Sequence, residues 1–333
     1  MNVELFNQLL QSNQTMMQKL LRKGFNINAL RTNGTLRHEE WIELDRLIIE
    51  TARIRLRAVA DLFNAGLVKP ANVMKTSVLQ WQVMSRTGET NLDMDPQTHG
   101  DSEALDFQQR YLPLPIVHAE YQIGARELNI SRMNGWTGLD SLMAAQKAQD
   151  VAERIENMLV NGESNYTYGQ GTIYGYTDFP DRAVVSISDW SDDAVDGETI
   201  NKEVLEMIQA NIDQFSYGPY ILYIPRNLQT KFSEDYSDQK GDNTIRERVL
   251  ENEGLQRIQV LDTLEEGNVL LVQMTSDKVQ IVNAMPFTNI EWNTKGGFTS
   301  HYRVMASMIP RLLSDRDGNS GIVHGIVASP SPS

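Results

Sequence analysis

Few residues in this chain are of the types and spacings that do chemistry. Its five histidines, His38, His99, His118, His301 and His324, are widely scattered. His38-Glu39-Glu40 lacks the second histidine one helical turn on that a zinc-binding HExxH helix requires. There is no cysteine, which excludes disulfides, thiolate metal sites and cysteine nucleophiles. Serine is common, but no GxSxG elbow presents one as a nucleophile. Gly169, Gly171 and Gly175 follow a GxGxxxG spacing with tyrosines in the gaps and no Lys-Ser/Thr after them. That predicts a turn-rich strand pair, not a phosphate loop. The string DRDGNSGI, Asp315 to Ile322, mimics the start of a calcium loop through Asp315, Asp317 and Asn319. Ser320 replaces the sixth-position glycine, and Ile326 stands where a bidentate glutamate belongs. An Asp-Gly-Asn turn between strands is the simpler reading. No catalytic, cofactor-binding or metal site is expected.

Charge is more informative. The net charge is −14, whereas a free-standing nucleic-acid binder usually has the opposite sign. Residues 1–35 carry Lys19, Arg22, Lys23 and Arg31 against Glu4, a local +3. Residues 85–110 carry Glu89, Asp93, Asp95, Asp101, Glu103 and Asp106 against Arg86 and Arg110, a local −4 with His99 neutral. These segments are complementary. The acidic stretch is therefore expected to dock near a basic arm or near Arg53 and Arg57, which sit one helical turn apart.

The elements that would position these charges follow from periodicity. Gly138 to Gly162 reads as one helix bracketed by glycines and free of proline. Leu142, Ala145, Ala148, Ala152, Ile155 and Leu159 fall on one face, with Lys147, Asp150, Glu153, Arg154 and Glu156 mostly elsewhere. Leu36 to Phe63 reads as a second long helix, with Glu50 placed to pair with Arg53 or Arg57. Ser77 to Met84 and Tyr111 to Ile123 read as strand arms around the long polar loop. A compact domain rarely tolerates such a loop without a use for it. Residues 197–276 read as mixed α/β, beginning with a helix that places Val204, Leu205, Ile208 and Ile212 on one face. Strands return at Val279 to Val282, Thr288 to Trp292 and Thr299 to Ile309. The start, MNVELFNQLLQSNQ, does not read as a signal peptide. No apolar run approaches the ~20 residues of a membrane span.

Set in order, these parts resemble the Hong Kong 97-type shell proteins of tailed bacteriophages, in their encapsulin-like branch. LRHEEWIELDRLIIETARIRL is similar to that branch's amino-terminal helix. RYLPLPIVHAEYQI is similar to the strand returning from its extended loop. VAERIENMLVNG and IYGYTD resemble the end of its spine helix and the glycine turn after it. SYGPYILYIPRNLQTKF resembles the opening of its apical domain, and NVLLVQMTSDKVQIV the strand pair leading back. The likeness covers roughly residues 36–325.

The resemblance implies an α+β chain of the Hong Kong 97-type capsid fold. Its parts would be an arm (1–35), a peripheral-domain helix (36–77), an extended loop (78–112), and a peripheral domain (113–196) with spine helix 138–162. An apical domain (197–276), peripheral return strands (277–327) and a disordered tail (328–333) would follow. It implies a non-catalytic major capsid protein that assembles as pentamers and hexamers into an icosahedral shell around double-stranded DNA. Its place would be the virion, after assembly in the host cytoplasm. Portal, scaffold and decoration proteins are the implied partners, with no membrane and no cofactor. The alternative is an encapsulin compartment enclosing cargo enzymes. Contacts between subunits are expected at Trp81, Arg86, Glu89, Asp93, Asp95 and Arg110 of the hairpin, and at Arg53, Arg57, Lys19, Arg22 and Lys23. No lysine occurs between Lys75 and Lys147. The loop therefore has no amine for an isopeptide crosslink, and a non-covalent shell is expected.

Overall fold

The computed structural model describes residues 38–84, 107–127, 130, 139–237 and 243–327. Helices α1 (His38–Arg55) and α2 (Ala58–Asn64) open it. Strands β1 (Val68–Pro70), β2 (Val78–Met84), β3 (Phe107–Pro113) and β4 (Val117–Gly124) precede the spine helix α3 (Leu139–Val160). Strands β5 (Glu163–Tyr168), β6 (Gly171–Ile173) and β7 (Ala183–Ile187) lead to α4 (Gly197–Asp213). Next come β8 (Tyr220–Pro225), α5 (Leu228–Lys231), α6 (Ile245–Leu250), β9 (Leu255–Leu261) and β10 (Asn268–Gln273). The long strands β11 (Val279–Thr294) and β12 (Thr299–Leu312) and the short β13 (Ile322–Val327) complete the order.

Two sheets organise two cores. A four-stranded sheet, β1-β11-β12-β4, lies against α1 and the spine helix. A five-stranded sheet, β7-β13-β10-β8-β9, carries α4 and α6. The second sheet takes strands from either side of residues 197–276. Val323 pairs with Ala183 in parallel, and Leu271 pairs with both Val323 and Leu222. The two returning strand segments at 279–282 and 288–292 are one strand, β11, interrupted by register shifts between Asn283 and Thr288. The Tyr111–Ile123 arm is two strands. β3 pairs with β2, and β4 crosses to pair with β12. The rigid Leu114-Pro115-Ile116 link makes the switch.

The spine helix buries Ala144, Ala148, Val151, Ala152, Ile155, Met158 and Leu159, which gives the expected stripe its true width. Leu142 is not on it; its side chain is 69 % exposed. The helix ends at Gly162, whose φ of +74° is the left-handed conformation that favours glycine at this position. The IYGYTD turn then doubles back on the helix end. Tyr176 N–H donates to the Leu159 carbonyl (3.0 Å) and Thr177 N–H to the Val160 carbonyl (2.9 Å). Those carbonyls have no partner within the helix, so the turn completes it. A Cβ at Gly175 would overlap the backbone of Asn161 and Gly162, which is why a glycine sits there. On α4, the buried face is Ile200, Val204, Met207, Ile208 and Asn211; Leu205 and Ile212 are exposed.

The first helix departs most from expectation. Residues 36–63 do not form one rod: α1 ends at Arg55 and α2 starts at Ala58. Glu50 pairs with Arg46 (3.0 Å), and Arg57 turns instead to Asp262. The cause of the break lies on the spine helix.

Candidate functional site

Glu156 sits on the spine helix among Ala152, Ile155 and Leu159, and only 2 % of it is exposed. Its carboxylate accepts the N–H groups of Arg57 (3.1 Å), Ala58 (2.6 Å) and Val59 (3.3 Å). These are the donors that a helix start leaves unsatisfied. A side chain from another helix thus caps α2 and fixes the break. Burial pushes the Glu156 carboxyl up to about 7, against the opposing effect of its three hydrogen bonds; the nearby Asp61 charge adds to the rise. Desolvation is the largest effect, and among the described residues no cation offsets it.

Asp61, on α2, is likewise buried. It pairs with Arg257 of β9 at 2.5 Å and accepts from the Tyr223 hydroxyl of β8 at 3.4 Å. Burial raises its carboxyl above the usual range, and Arg257 opposes that rise. Tyr223 stacks on Tyr176 from the glycine turn, with ring centroids 6.1 Å apart. Burial holds both phenols well above their ordinary value. Arg57 reaches the same sheet, donating to the Val260 carbonyl (3.1 Å) and lying 3.7 Å from Asp262. Asn161 Nδ2 donates to the Thr263 carbonyl at 2.9 Å. Each contact joins the helical body to β8, β9 or the segment after β9. Together they form a polar seam that sets how the two cores meet. A cleft of about 220 Å³ opens beside it, lined by Arg55, Arg57, Glu153, Glu156, Asp262 and Thr263.

The second polar centre is the foot of the β2–β3 hairpin. Trp81 and Arg110 are cross-strand partners. The Arg311 guanidinium of β12 lies 4.5 Å from the Trp81 ring centroid, within cation–π range. Arg311 Nη1 donates to Gln280 Oε1 at 2.7 Å. Arg110 lies 3.7 Å from Asp181, whose carboxylate also accepts the Ser314 hydroxyl at 2.5 Å.

Of the expected contact residues, Trp81 and Arg110 come together at this foot, while Arg57 lies at the seam. Each has partners within its own chain. The side chain of Arg53 and all of Lys19, Arg22, Lys23, Arg86, Glu89, Asp93 and Asp95 lie outside the described residues. The DRDGNSGI turn closes on itself: Asp315 accepts from Asn319 N (2.7 Å) and Nδ2 (2.8 Å). It carries the chain from β12 of one sheet to β13 of the other. Sequence reading missed Glu156 and Arg311. Both had a signal: Glu156 completes the Ala152, Ile155, Leu159 row, and Arg311 is the only charge in the run MASMIPRLL.

Solved structures similar to this chain include a virus-like particle and two capsids. The virus-like particle from Pyrococcus furiosus matches with a TM-score of 0.61 and 16 % identity, covering 86 % of this chain and 99 % of its own. The capsid of Myoviridae Phage XM1 matches with a TM-score of 0.64 and 10 % identity, over 80 % and 91 %. The capsid of a native GTA particle matches with a TM-score of 0.58 and 11 % identity, over 90 % and 93 %. The fold is the Hong Kong 97-type capsid fold. The chain belongs to the Family of unknown function (DUF6260), whose model matches residues 28–325. No curated protein matches it.

Proposed function

We propose that this chain is a major capsid protein that assembles as pentamers and hexamers into an icosahedral shell around double-stranded DNA. The observation that carries the reading is the extent of the structural likeness. It spans 90 % or more of the three matched proteins' own chains and 80–90 % of this one. Head-to-tail contacts between identical copies close into rings where the geometry allows, so one chain can build a container. In this reading residues 197–276 gather around the symmetry axes, and residues 78–112 reach over a neighbour. Residues 1–35 form a basic arm, and the remaining segments build the peripheral body. The role is structural and non-catalytic, and the site of action is the virion. The net charge of −14 suits a wall to which packaged DNA must not adhere. Portal, scaffold and decoration proteins are the expected partners.

A second reading is an encapsulin-type compartment for cargo enzymes, whose shell proteins are expected to be shorter. The virus-like particle protein from Pyrococcus furiosus, matched over 99 % of its length, covers only 86 % of this chain. The excess length here favours the virus. Electron microscopy of the protein expressed alone tests both readings. Closed icosahedral particles are expected. DNA inside particles from the native source marks a virus, and co-purifying enzymes mark a compartment. Soluble monomers under several assembly conditions would overturn both.

A further inference from the structure

The five-stranded sheet ends on two edge strands, β7 and β9. Both run in the same direction: β7 lies parallel to β13 and β9 parallel to β8, while β10 is antiparallel to both β13 and β8. An edge strand presents main-chain N–H and C=O groups that another strand can take up. On β9 the register shows which groups these are. Tyr220 N–H donates to the Gly254 carbonyl at 2.8 Å, so Tyr220, Leu222 and Ile224 turn their backbone groups toward β9. Leu222 is paired with Ile258 and Ile224 with Val260. In a parallel ladder a residue bonds to the neighbours of its partner, here Arg257 and Gln259. The backbone groups of Ile258 and Val260 therefore face away from the sheet.

Arginines occupy both outward carbonyls. Arg246 Nη2 donates to the Ile258 carbonyl at 2.7 Å, and Arg57 Nη1 to the Val260 carbonyl at 3.1 Å. Helix α6 sets Arg246 in place. The Thr244–Glu247 capping box fixes the start of the helix, and its Ile245 and Val249 share a core with Ile258. Among the described residues Arg246 is paired with no carboxylate, although acids outnumber bases by 44 to 30. Its position on the edge, not a shortage of counter-charge, thus selects the carbonyl. The opposite edge strand, β7, reads AVVSI. It has no charge, proline or glycine and is rich in β-branched residues, a composition that adds readily to other strands. Its Val184 is 55 % exposed.

We propose that β9 is a latent strand-addition site for β7 of a second copy, and that Arg246, with Arg57, keeps it closed. Because the two edges run parallel, β7 of one copy can follow β9 of another by translation alone. Such a head-to-tail contact leaves an edge open at each end and grows into fibres unless a rotation closes it. A guanidinium on an edge carbonyl takes up the acceptor and stands where the next strand, about 4.8 Å away, would lie. An incoming strand must break a charge-assisted hydrogen bond to make a neutral, weaker one. Arg57 also reaches Asp262 and so belongs to the seam; Arg246 isolates the guard.

A synthetic peptide of residues 182–188, which contains β7, is titrated onto the unassembled full-length chain. Arg246→Met should bind it at least about tenfold more tightly than the native chain does, the effect of removing one charge-assisted hydrogen bond. A peptide methylated on its backbone nitrogens should lose that gain, because its side chains are intact and only the ladder donors are gone. Equal binding by native and variant chains, or by plain and methylated peptides, overturns the proposal. The absence of native cysteine allows a second measurement. Differently tagged copies carrying Gln256→Cys on β9 and Ser186→Cys on β7 are mixed and oxidised. A disulfide between the tags is expected with Arg246→Met and not with Arg246 retained; equal yields overturn the proposal. Circular dichroism shows whether Arg246→Met is folded. If it is not, Arg57→Met opens the Val260 carbonyl instead and is held to the same comparisons. The proposal does not rest on the shell reading, so these outcomes stand whether or not particles form.

Discussion

Replacing Glu156 with glutamine should remove a pH dependence built into the seam. The unfolded chain releases this proton near its ordinary value of 4.5, and the folded chain holds it to about 7. Between those values the folded state binds the extra proton, so stability falls as pH rises. The contribution is fully present below pH 4.5 and gone above about 7. A gap of about 2.5 units at 1.36 kcal/mol each is about 3 kcal/mol in full, and about 2–3 kcal/mol between pH 5 and pH 8. Glutamine keeps an oxygen for the Ala58 N–H but has no proton to titrate. The assay is urea unfolding of the unassembled subunit by circular dichroism at both pH values. The difference between the native chain and E156Q should change by about 2–3 kcal/mol, with the native chain gaining at pH 5. Asp61 shifts in the same direction, so a smaller slope of the same sign should persist in E156Q. An identical difference at both pH values would refute the account of the seam.

Arg257→Met should strand the buried Asp61 carboxylate. The expected cost is about 2 kcal/mol at pH 7, below the 3–5 kcal/mol of a fully buried pair because Arg257 is half exposed. It should shrink at pH 4, as the same unfolding assay can read. Ala148→Leu or Ala152→Leu puts extra volume at positions with no exposed surface and should cost about 1–3 kcal/mol. Failed particle formation in the electron microscope, with the subunit still soluble, is the expected sign. Boiled and reduced particles should run as monomer on a denaturing gel, and ladders of covalent multimers would contradict the non-covalent shell.

Local pattern was enough for the spine helix. Its 3.6-residue apolar period and its closing glycine are properties of neighbours in sequence, and the helix ends at that glycine. The same holds for β2 and for the order of elements that resembles a capsid chain, whereas β3 starts at Phe107, inside the stretch that reads as loop, and the rest of its arm pairs in another sheet. The break at Leu56 and Arg57 was not legible. The sequence there reads as uninterrupted helix, and the carboxylate that takes up the freed N–H groups is about a hundred residues away. Leu205 and Ile212 satisfy a helical stripe as well as the residues that are buried, so only the position of the sheet decides between them. Strand partnership was decided the same way: β7 and β13 are short, lie far apart in the chain, and meet at the edge of a sheet begun by others. By itself the sequence determined element type, order and the imbalance of charge, because these depend on neighbouring residues and composition. Tertiary structure decided which charges are buried and which are answered. Burial and pairing join Glu156 to Ala58 and Arg311 to Trp81 across long stretches of chain, and desolvation acts only once those stretches meet.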